Sequence, residues 1–318
     1  MITRNRDILL ANIASMYYLE RCTQAQIAKK MGYSRSAISR LITEAEDKGI
    51  VEIRVHSPIK RNPEMERFLR ERFGLQEVII CSNGSLPEQD RLRQVGQLAA
   101  SYLEKFLHDQ VKIGIGWGTS IYETINVLPH LQFSGVQIVQ VIGAIGGKSD
   151  PRIDGPELAA QLAGKLNGSH HYLHSPLILE DETIKNALMN QQQISETLEM
   201  GYQTDVTLLG IGTVETDRRG SSLLRTGYLN IEDVKEIQKQ GGVANFCGYI
   251  LDEMGNVLDI DINQRIMAIS LERLRRMHSH VIAVAGGRKK SRAIEAVIKR
   301  NLIDTLISDS EAIAPLLN

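Results

Sequence analysis

The residues from Gln24 to Thr43 leave the chain little choice of local fold. Ile27 and Met31 stand four apart, and Ile38 and Leu41 three apart, so each pair shares one helix face. Between them Gly32 permits a left-handed turn, and Ala28 is small where a second helix must cross close over the first. Thr23 and Gln26 have capping-box spacing, and Ser34 is an N-cap for the next helix. The pattern predicts a helix-turn-helix. Its second helix would present Arg35, Ser36, Ser39, Arg40 and Thr43 outward, with Gln24 and Ser34 at the two helix starts. These side chains can reach base edges or phosphates in a major groove. The alternative is an ordinary αα-hairpin with a polar face.

The flanks extend this reading. Asn5 to Leu19 is amphipathic, with Ile8, Leu9, Ile13, Met16 and Tyr17 at helical spacing, which would complete a three-helix core. Lys48-Gly49 ends the helical pattern. Ile50 to Val55 then alternates like a half-buried strand, the start of a wing. Residues 1–57 carry nine Lys/Arg against six Asp/Glu, whereas the whole chain has a formal charge of −1. A slightly basic unit on a mildly acidic body suits DNA binding through one small face, with affinity built up from several copies.

His56-Ser57-Pro58 reads as a hinge, and Asn62-Pro63 opens a charged helix that stops at Gly74. Its alternating charges predict a solvated face, with a spacer or an oligomer contact as the other roles. Beyond it, apolar runs (Val78–Cys81, Val111–Ile115, Val136–Ile142, Val206–Leu209, Val281–Val284, Leu306–Ser308) alternate with helical stretches. The helices are expected at Gln89–Phe106, Thr119–Leu128, Pro156–Leu166 and Ser291–Arg300. This is the signature of an α/β fold with a mostly parallel sheet covered on both faces.

Four of these strands are followed by glycine-rich segments: Gly114 to Ser120, Gly143 to Lys148, Gly210 to Thr213 and Gly286 to Lys290. In an open α/β sheet such turns collect at the carboxyl edge, where ligands bind. Helix-start N–H groups, Thr119, Ser120 and Lys290 could there cradle an anion. The chain has no GxxxxGK[ST], no GxGxxG turn and no acidic residue closing the following strand, so a nucleotide cofactor is not expected. A small phosphorylated ligand fits better. The run His170-His171-Tyr172-Leu173-His174 lacks the spacing of a metal set and is expected to be structural or surface, with His170 and His174 on one strand face. His278-Ser279-His280 and Gln191 to Gln193 are also expected at the surface. Cys22, Cys81 and Cys247 are isolated, as suits a reducing compartment. The chain shows neither a membrane-length apolar run nor a signal-peptide pattern, so a cytoplasmic location is expected.

Taken in order, the Tyr-Tyr helix, Thr-Gln-x-x-Ile-Ala-x-x-Met, Gly-Trp-Gly-Thr-Ser, Gly-Ile-Gly-Thr and Ala-Gly-Gly-x-x-Lys resemble the SorC/DeoR-type sugar-binding transcriptional regulators over nearly the whole chain. The resemblance implies an effector domain similar to the sugar-phosphate isomerase and glucosamine-6-phosphate deaminase fold. It also implies a phosphorylated sugar effector and a homo-oligomer, a tetramer, on operator DNA. Carried over by motif, Gly116, Gly118, Thr119 and Ser120 would form the phosphate loop, closed by Gly286, Gly287 and Lys290. Gly143, Gly212, Thr213 and Asp252 would join them around the effector, although Asp252 could equally be a turn former before Gly255. Two segments depart from the family pattern: Asn245 stands where Asp is usual, and Asp150 to Pro156 differs. Both are expected to line the sugar end.

The expected organisation is a winged helix-turn-helix over 1–57 and a sugar-phosphate-binding and oligomerisation domain over 58–318. No catalytic residue, metal or cofactor is assigned. Two alternatives stay open: an isomerase- or deaminase-like enzyme with a DNA reader, and a regulator with an unphosphorylated effector.

Overall fold

The alternation of apolar and helical stretches builds a parallel sheet, in a computed structural model that describes residues 2–51, 59–82, 86–146, 150–217 and 221–317. The chain divides into two compact units, Met1–Pro58 and Ile59–Asn318. Most of the expected wing and the hinge at His56–Pro58 lie outside the described residues. So do the predicted division at 57/58 and both Gly147 and Lys148 of the second glycine segment.

In the first unit, helix α1 (Ile2–Ala14) runs into a π-helical turn at Ser15–Leu19, followed by α2 (Gln24–Met31) and α3 (Arg35–Asp47). The local signals act as read. Thr23 and Gln26 close a capping box, Gly32 ends α2 at φ 72°, and the Ser34 hydroxyl accepts from the Ala37 N–H at 3.1 Å. Leu10, Ile13, Met16, Ile27, Ala28, Ile38, Leu41 and Ile42 form the core, with Leu9, Tyr17 and Met31 half-buried around it. Ile8 was expected in this core and is instead 54% exposed, while Leu10 is fully buried. The expected face of α1 is the buried one, with Leu10 in the place expected of Ile8.

The second unit opens with α4 (Pro63–Phe73), capped by Asn62 and ended by left-handed Gly74. It is not the freely solvated helix its charges implied. Glu66 and Leu69 are buried, and the Glu66 carboxylate accepts from Arg61 Nε and Nη2, each at 2.8 Å, and from the Ile80 N–H at 2.9 Å. Helix α4 is thereby fastened to the first strand.

The strands are β1 (Glu77–Cys81), β2 (Lys112–Ile115), β3 (Gln137–Gln140), β4 (Ser169–His171), β5 (Val206–Thr213), β6 (Ala244–Phe246), β7 (Tyr249–Leu251), β8 (His280–Val284) and β9 (Thr305–Asp309). Seven of them form a parallel sheet in the order β1-β9-β8-β5-β2-β3-β4. From β2 the chain steps outward to β3 and β4, then returns to β5 on the other side. The gap between β2 and β5 is thus the topological switch point, where ligands bind in such sheets. Nearly every residue of β1, β8 and β9 is buried, as covering of both faces requires.

Helices α5 (Glu88–Leu103), α6 (Thr119–Val127) and α7 (Gly155–Leu166) match their expected positions to within a few residues. Three differences matter. Gly210 to Thr213 are not a turn: β5 continues through them and changes partner, pairing antiparallel with β6 over Ile211–Thr213. The β6–β7 hairpin and the helix Ile231–Lys239 were not foreseen. Ser279 and His280 are not surface residues. Ser279 is buried against Thr204 and Thr207, and His280 Nε2 lies 2.8 Å from Thr305 Oγ1. The His170 cluster behaves as expected in part: His170 and His174 are exposed, but β4 stops at His171, before His174.

Candidate functional sites

Helix α3 places Arg35, Ser36, Ser39, Arg40 and Thr43 at the surface, because Ile38, Leu41, Ile42 and Ala45 take its buried face. Ser34 is exposed at its start and Gln24 is half-buried at the start of α2. Charge is sorted across this unit. Glu44 takes Arg6 in a two-pronged pair at 2.6 and 2.7 Å, Asp7 takes Lys48 at 3.0 Å, and Glu46 accepts from Tyr18. Arg21, Lys29, Lys30 and Arg35 have no acidic partner among the described residues. Arg40 makes only a long contact to the Ser36 carbonyl, at 3.4 Å. Acids are thus tied off against α1 while these cations stay available, which suits a polyanion.

In the second unit, a cavity of about 720 Å³ opens at the carboxyl ends of β2, β5 and β8, at the switch point. That volume accommodates a small organic ligand. Gly118 has φ 122°, which L side chains rarely adopt, and serves as N-cap of α6 without any side-chain cap. The first N–H groups of α6 therefore lack intrahelical acceptors at the cavity wall formed by Gly118, Thr119 and Ser120. Neither hydroxyl has a partner among the described residues. Across the cavity, Gly287 adopts φ 97° and its N–H donates to Asp309 Oδ2 at 2.7 Å. A side chain at Gly286 would collide with the same carboxylate, at 2.5 Å. This tight turn sets Lys290 on the wall.

Two cations face the cavity without acidic partners among the described residues, Lys290 and Arg225. Burial pulls the Lys290 ammonium down to about 8, the nearby Arg225 pushes the same way, and Asp309 and Glu88 oppose. Burial also lowers Arg225, against the pull of Asp150, and its Nε is buried with no hydrogen-bond partner. By contrast, Arg152 is held by Asp150 at 2.7 Å and Arg91 by Glu311 at 2.8 Å. Glu123, three residues beyond Ser120 on α6, also lines the cavity, its carboxyl pushed up by burial and pulled back by Arg93.

Of the predicted effector residues, the cavity brings together Gly118, Thr119, Ser120, Gly212, Gly286, Gly287 and Lys290. It does not include Gly116, Gly143, Thr213 or Asp252. Gly116 and Gly143 are packing glycines. A Cβ at Gly116 would lie 3.1 Å from Ile142 and Leu209 side-chain atoms, and one at Gly143 2.5 Å from the Pro176 carbonyl oxygen. Thr213 is buried within β5. Asp252 is the turn former: its Oδ1 accepts from the Met254 and Asn256 N–H groups, both at 2.8 Å. Asp150, Arg152 and Asn245, from the two segments that depart from the family pattern, do line the cavity. Glu123, one of the acids nearest the glycine segments in sequence, also lines the cavity, as do Arg225 and Cys247, which carry no local sequence signal. Among the described residues no group of His, Cys, Asp and Glu is arranged to hold a metal ion, and no helix is long and apolar enough to cross a membrane.

Comparison with known proteins agrees with this geometry. Residues 57–318 match the family described as "Putative sugar-binding domain", and residues 8–61 match the MarR family. The chain is 28% identical over 317 residues to the deoxyribonucleoside regulator of Bacillus subtilis, covering 99% of each protein. It is 28% identical over 315 residues to the sorbitol operon regulator of Klebsiella pneumoniae, covering 97% of each. The crystal structure of that full-length regulator, SorC, superposes with a TM-score of 0.75 at 28% identity, covering 98% of both chains. The chain therefore belongs to the SorC/DeoR-type sugar-binding transcriptional regulators, with an N-terminal helix-turn-helix and an α/β sugar-binding domain.

Proposed function

We propose that this regulator controls a carbohydrate-use operon, and that a small phosphorylated sugar or polyol in the switch-point cavity sets its affinity for operator DNA. The observation that carries the reading is the pair Lys290 and Arg225, two desolvated cations without an ion-pair partner among the described residues, lining the same cavity as the uncapped start of α6. Buried charge left unpaired is costly, so such a pair favours an anion arriving as ligand. Thr119 and Ser120 add hydroxyl donors on the same wall. Arg35 and Arg40 read bases, supported by Ser36, Ser39, Thr43, Gln24 and Ser34. Residues 1–57 serve DNA binding, and 58–318 serve effector binding and assembly as a homo-oligomer, a tetramer.

The test is operator binding, followed by gel shift, across a panel of sugars and their phosphates. One or more phosphates should change operator affinity where the neutral parent sugars do not. Lys290→Met and Arg225→Met should keep operator binding and weaken the effective phosphate roughly ten- to hundredfold, the worth of one charge-assisted hydrogen bond. Neutral sugars acting as strongly as their phosphates would refute the phosphate reading. An enzymatic role would need a base oriented beside a substrate C–H. Glu123 is the desolvated carboxyl available, and none of the described residues hydrogen-bonds it into position.

A further inference from the structure

The chain enters the second unit along the outer edge of the sheet, beside β1. Ile59 packs half-buried against the core. Lys60 to Asn62 then run antiparallel to the end of β1, with Arg61 opposite Cys81. The Ser82 N–H donates to the Lys60 carbonyl at 2.6 Å, and the Asn62 N–H to the Ile80 carbonyl at 2.8 Å. The Arg61 side chain adds a second hold, on the buried Glu66 carboxylate that also takes the Ile80 N–H. This strap is the first described segment after the DNA-binding unit. Edge pairing held by so few bonds can open while the rest of a sheet stays folded.

On its other side β1 pairs with β9, and there Cys81 stands opposite Asp309. Asp309 is 1% exposed and lines the effector cavity. Its carboxylate is divided between two tasks. Oδ2 accepts from Gly287, in the turn that carries Lys290, and Oδ1 accepts from the Ala312 N–H at 2.9 Å, capping the short helix Ser310–Ile313. The cavity residue Arg91 holds the same helix through Glu311. The helix runs on into the turn Ala314–Leu317, where the Leu316 carbonyl accepts from Arg72 of α4 at 3.1 Å. Arg72 lies over the rings of Phe68 and Phe73, its guanidinium carbon 5.4 Å from each. The anion turn is thus joined to residues 60–73 by two routes, the β9–β1 ladder and the C-terminal helix. Both begin at Asp309.

We infer that Asp309 and the Lys60–Asn62 strap are the relay by which the effector acts on the DNA-binding unit, with Arg61 and Arg72 as positioning residues that set how firmly the strap is held. The inference rests on the phosphate reading. A phosphate held by Lys290 meets in Asp309 a buried carboxylate of like charge, and it competes with that carboxylate for the Gly287 N–H. Any movement of Asp309 disturbs the helix cap and the end of β9 together. The strap, paired or released, is the two-state element, and the effector biases it by as much as it prefers one state.

The experiment uses the full chain. Glycerol 3-phosphate, ribose 5-phosphate and sorbitol 6-phosphate are titrated by calorimetry, and operator affinity is measured with and without a saturating amount of the one that changes it most. The double variant Arg61→Met, Arg72→Met loosens both holds and alters no cavity residue. It should bind operator, and bind that phosphate within about threefold of wild type, while the factor by which phosphate changes operator affinity shrinks about fivefold or more. A factor equal to that of wild type overturns the inference, even where phosphate binds more weakly, because the two residues then support only the site. Hydrogen exchange of the wild type decides the matter without a variant. Saturating phosphate should change the exchange of amides within residues 60–73, none of which lines the cavity. Unchanged exchange there overturns the relay and leaves the phosphate site standing. A wild type whose operator affinity answers to none of the three phosphates sinks the phosphate reading, and the relay with it.

Discussion

Replacing Lys290 by methionine keeps the length of the side chain and removes its charge, so the variant isolates what a desolvated ammonium does to effector binding. Unliganded, this amine titrates near 8, well below its ordinary 10.5, because burial and Arg225 disfavour the cation. A bound phosphate monoester, doubly charged above its second pKa of about 6, restores the cationic form. Effector binding above pH 8 therefore draws a proton from solution. Between pH 7 and 9 the unliganded cationic fraction falls from about nine-tenths to about one-tenth. Affinity should drop about tenfold, or about 1.4 kcal/mol. Titration calorimetry at pH 7, 8 and 9 in phosphate-free buffer, with the sugar phosphate that most raises the melting temperature, measures this directly. Lys290→Met should bind weakly with a flat profile. A flat wild-type profile, or the same slope in the variant, would refute the argument. Stability gives an independent check of sign. Because the folded value is lowered, the unliganded fold holds fewer protons than the unfolded chain between about 8 and 10.5. Lys290 thus destabilises the unliganded domain most fully below pH 8, and progressively less as pH rises to 10.5. Lys290→Met should melt higher than wild type at pH 7, with the gap closing at alkaline pH.

Two further outcomes are expected. Arg40→Ala should lose about 1–3 kcal/mol at one operator base position in footprinting against substituted operators, while a uniform loss at every position would make Arg40 a phosphate contact. Gly143→Ala should lower the melting temperature of the domain by several degrees, because its Cβ would lie 2.5 Å from the Pro176 carbonyl oxygen. An unchanged melting temperature with lost effector binding would return Gly143 to the site.

The parts of the site written into local backbone geometry were legible in the sequence. Gly118 and Gly287 adopt positive φ, Thr119 and Ser120 come straight after the first and Lys290 three residues after the second, so motif and geometry coincide. Gly116 and Gly143 look the same in sequence and do something else. Each gives way to a side chain or carbonyl from a distant segment, which no local pattern reveals. Gly210 to Thr213 carry the sequence signature of a turn, because glycine usually closes a strand. Here the antiparallel β6 supplies partners that carry β5 onward. Arg225 could not be found from sequence at all. It sits at the end of the short helix Ser222–Arg225, and only burial against the cavity separates it from the many surface arginines. In α1, the apolar residues Ile8, Leu9 and Leu10 fit the stripe almost equally well, and packing against α3 decided among them.

These electrostatics bear on how the proposed switch can work. The first unit carries a small excess of positive charge, and pairing of Glu44 and Asp7 with Arg6 and Lys48 leaves only a few cations without an acidic partner among the described residues. So few phosphate contacts give a single copy weak binding, with only a shallow dependence on salt. Operator affinity then depends on linking several copies at fixed spacing, as the proposed oligomer does. That makes spacing the quantity an effector has to change. It can do so only by as much as it prefers one arrangement of the subunits, since a ligand with equal affinity for both shifts nothing. Lys290, in the segment after β8, and Thr119–Ser120, the start of α6 after β2, follow strands separated in the sheet by β5. An anion bridging them is sensitive to any change in their separation, which is where such a preference can arise. The coupling also runs in reverse: operator DNA must alter effector affinity by the same factor by which effector alters operator affinity.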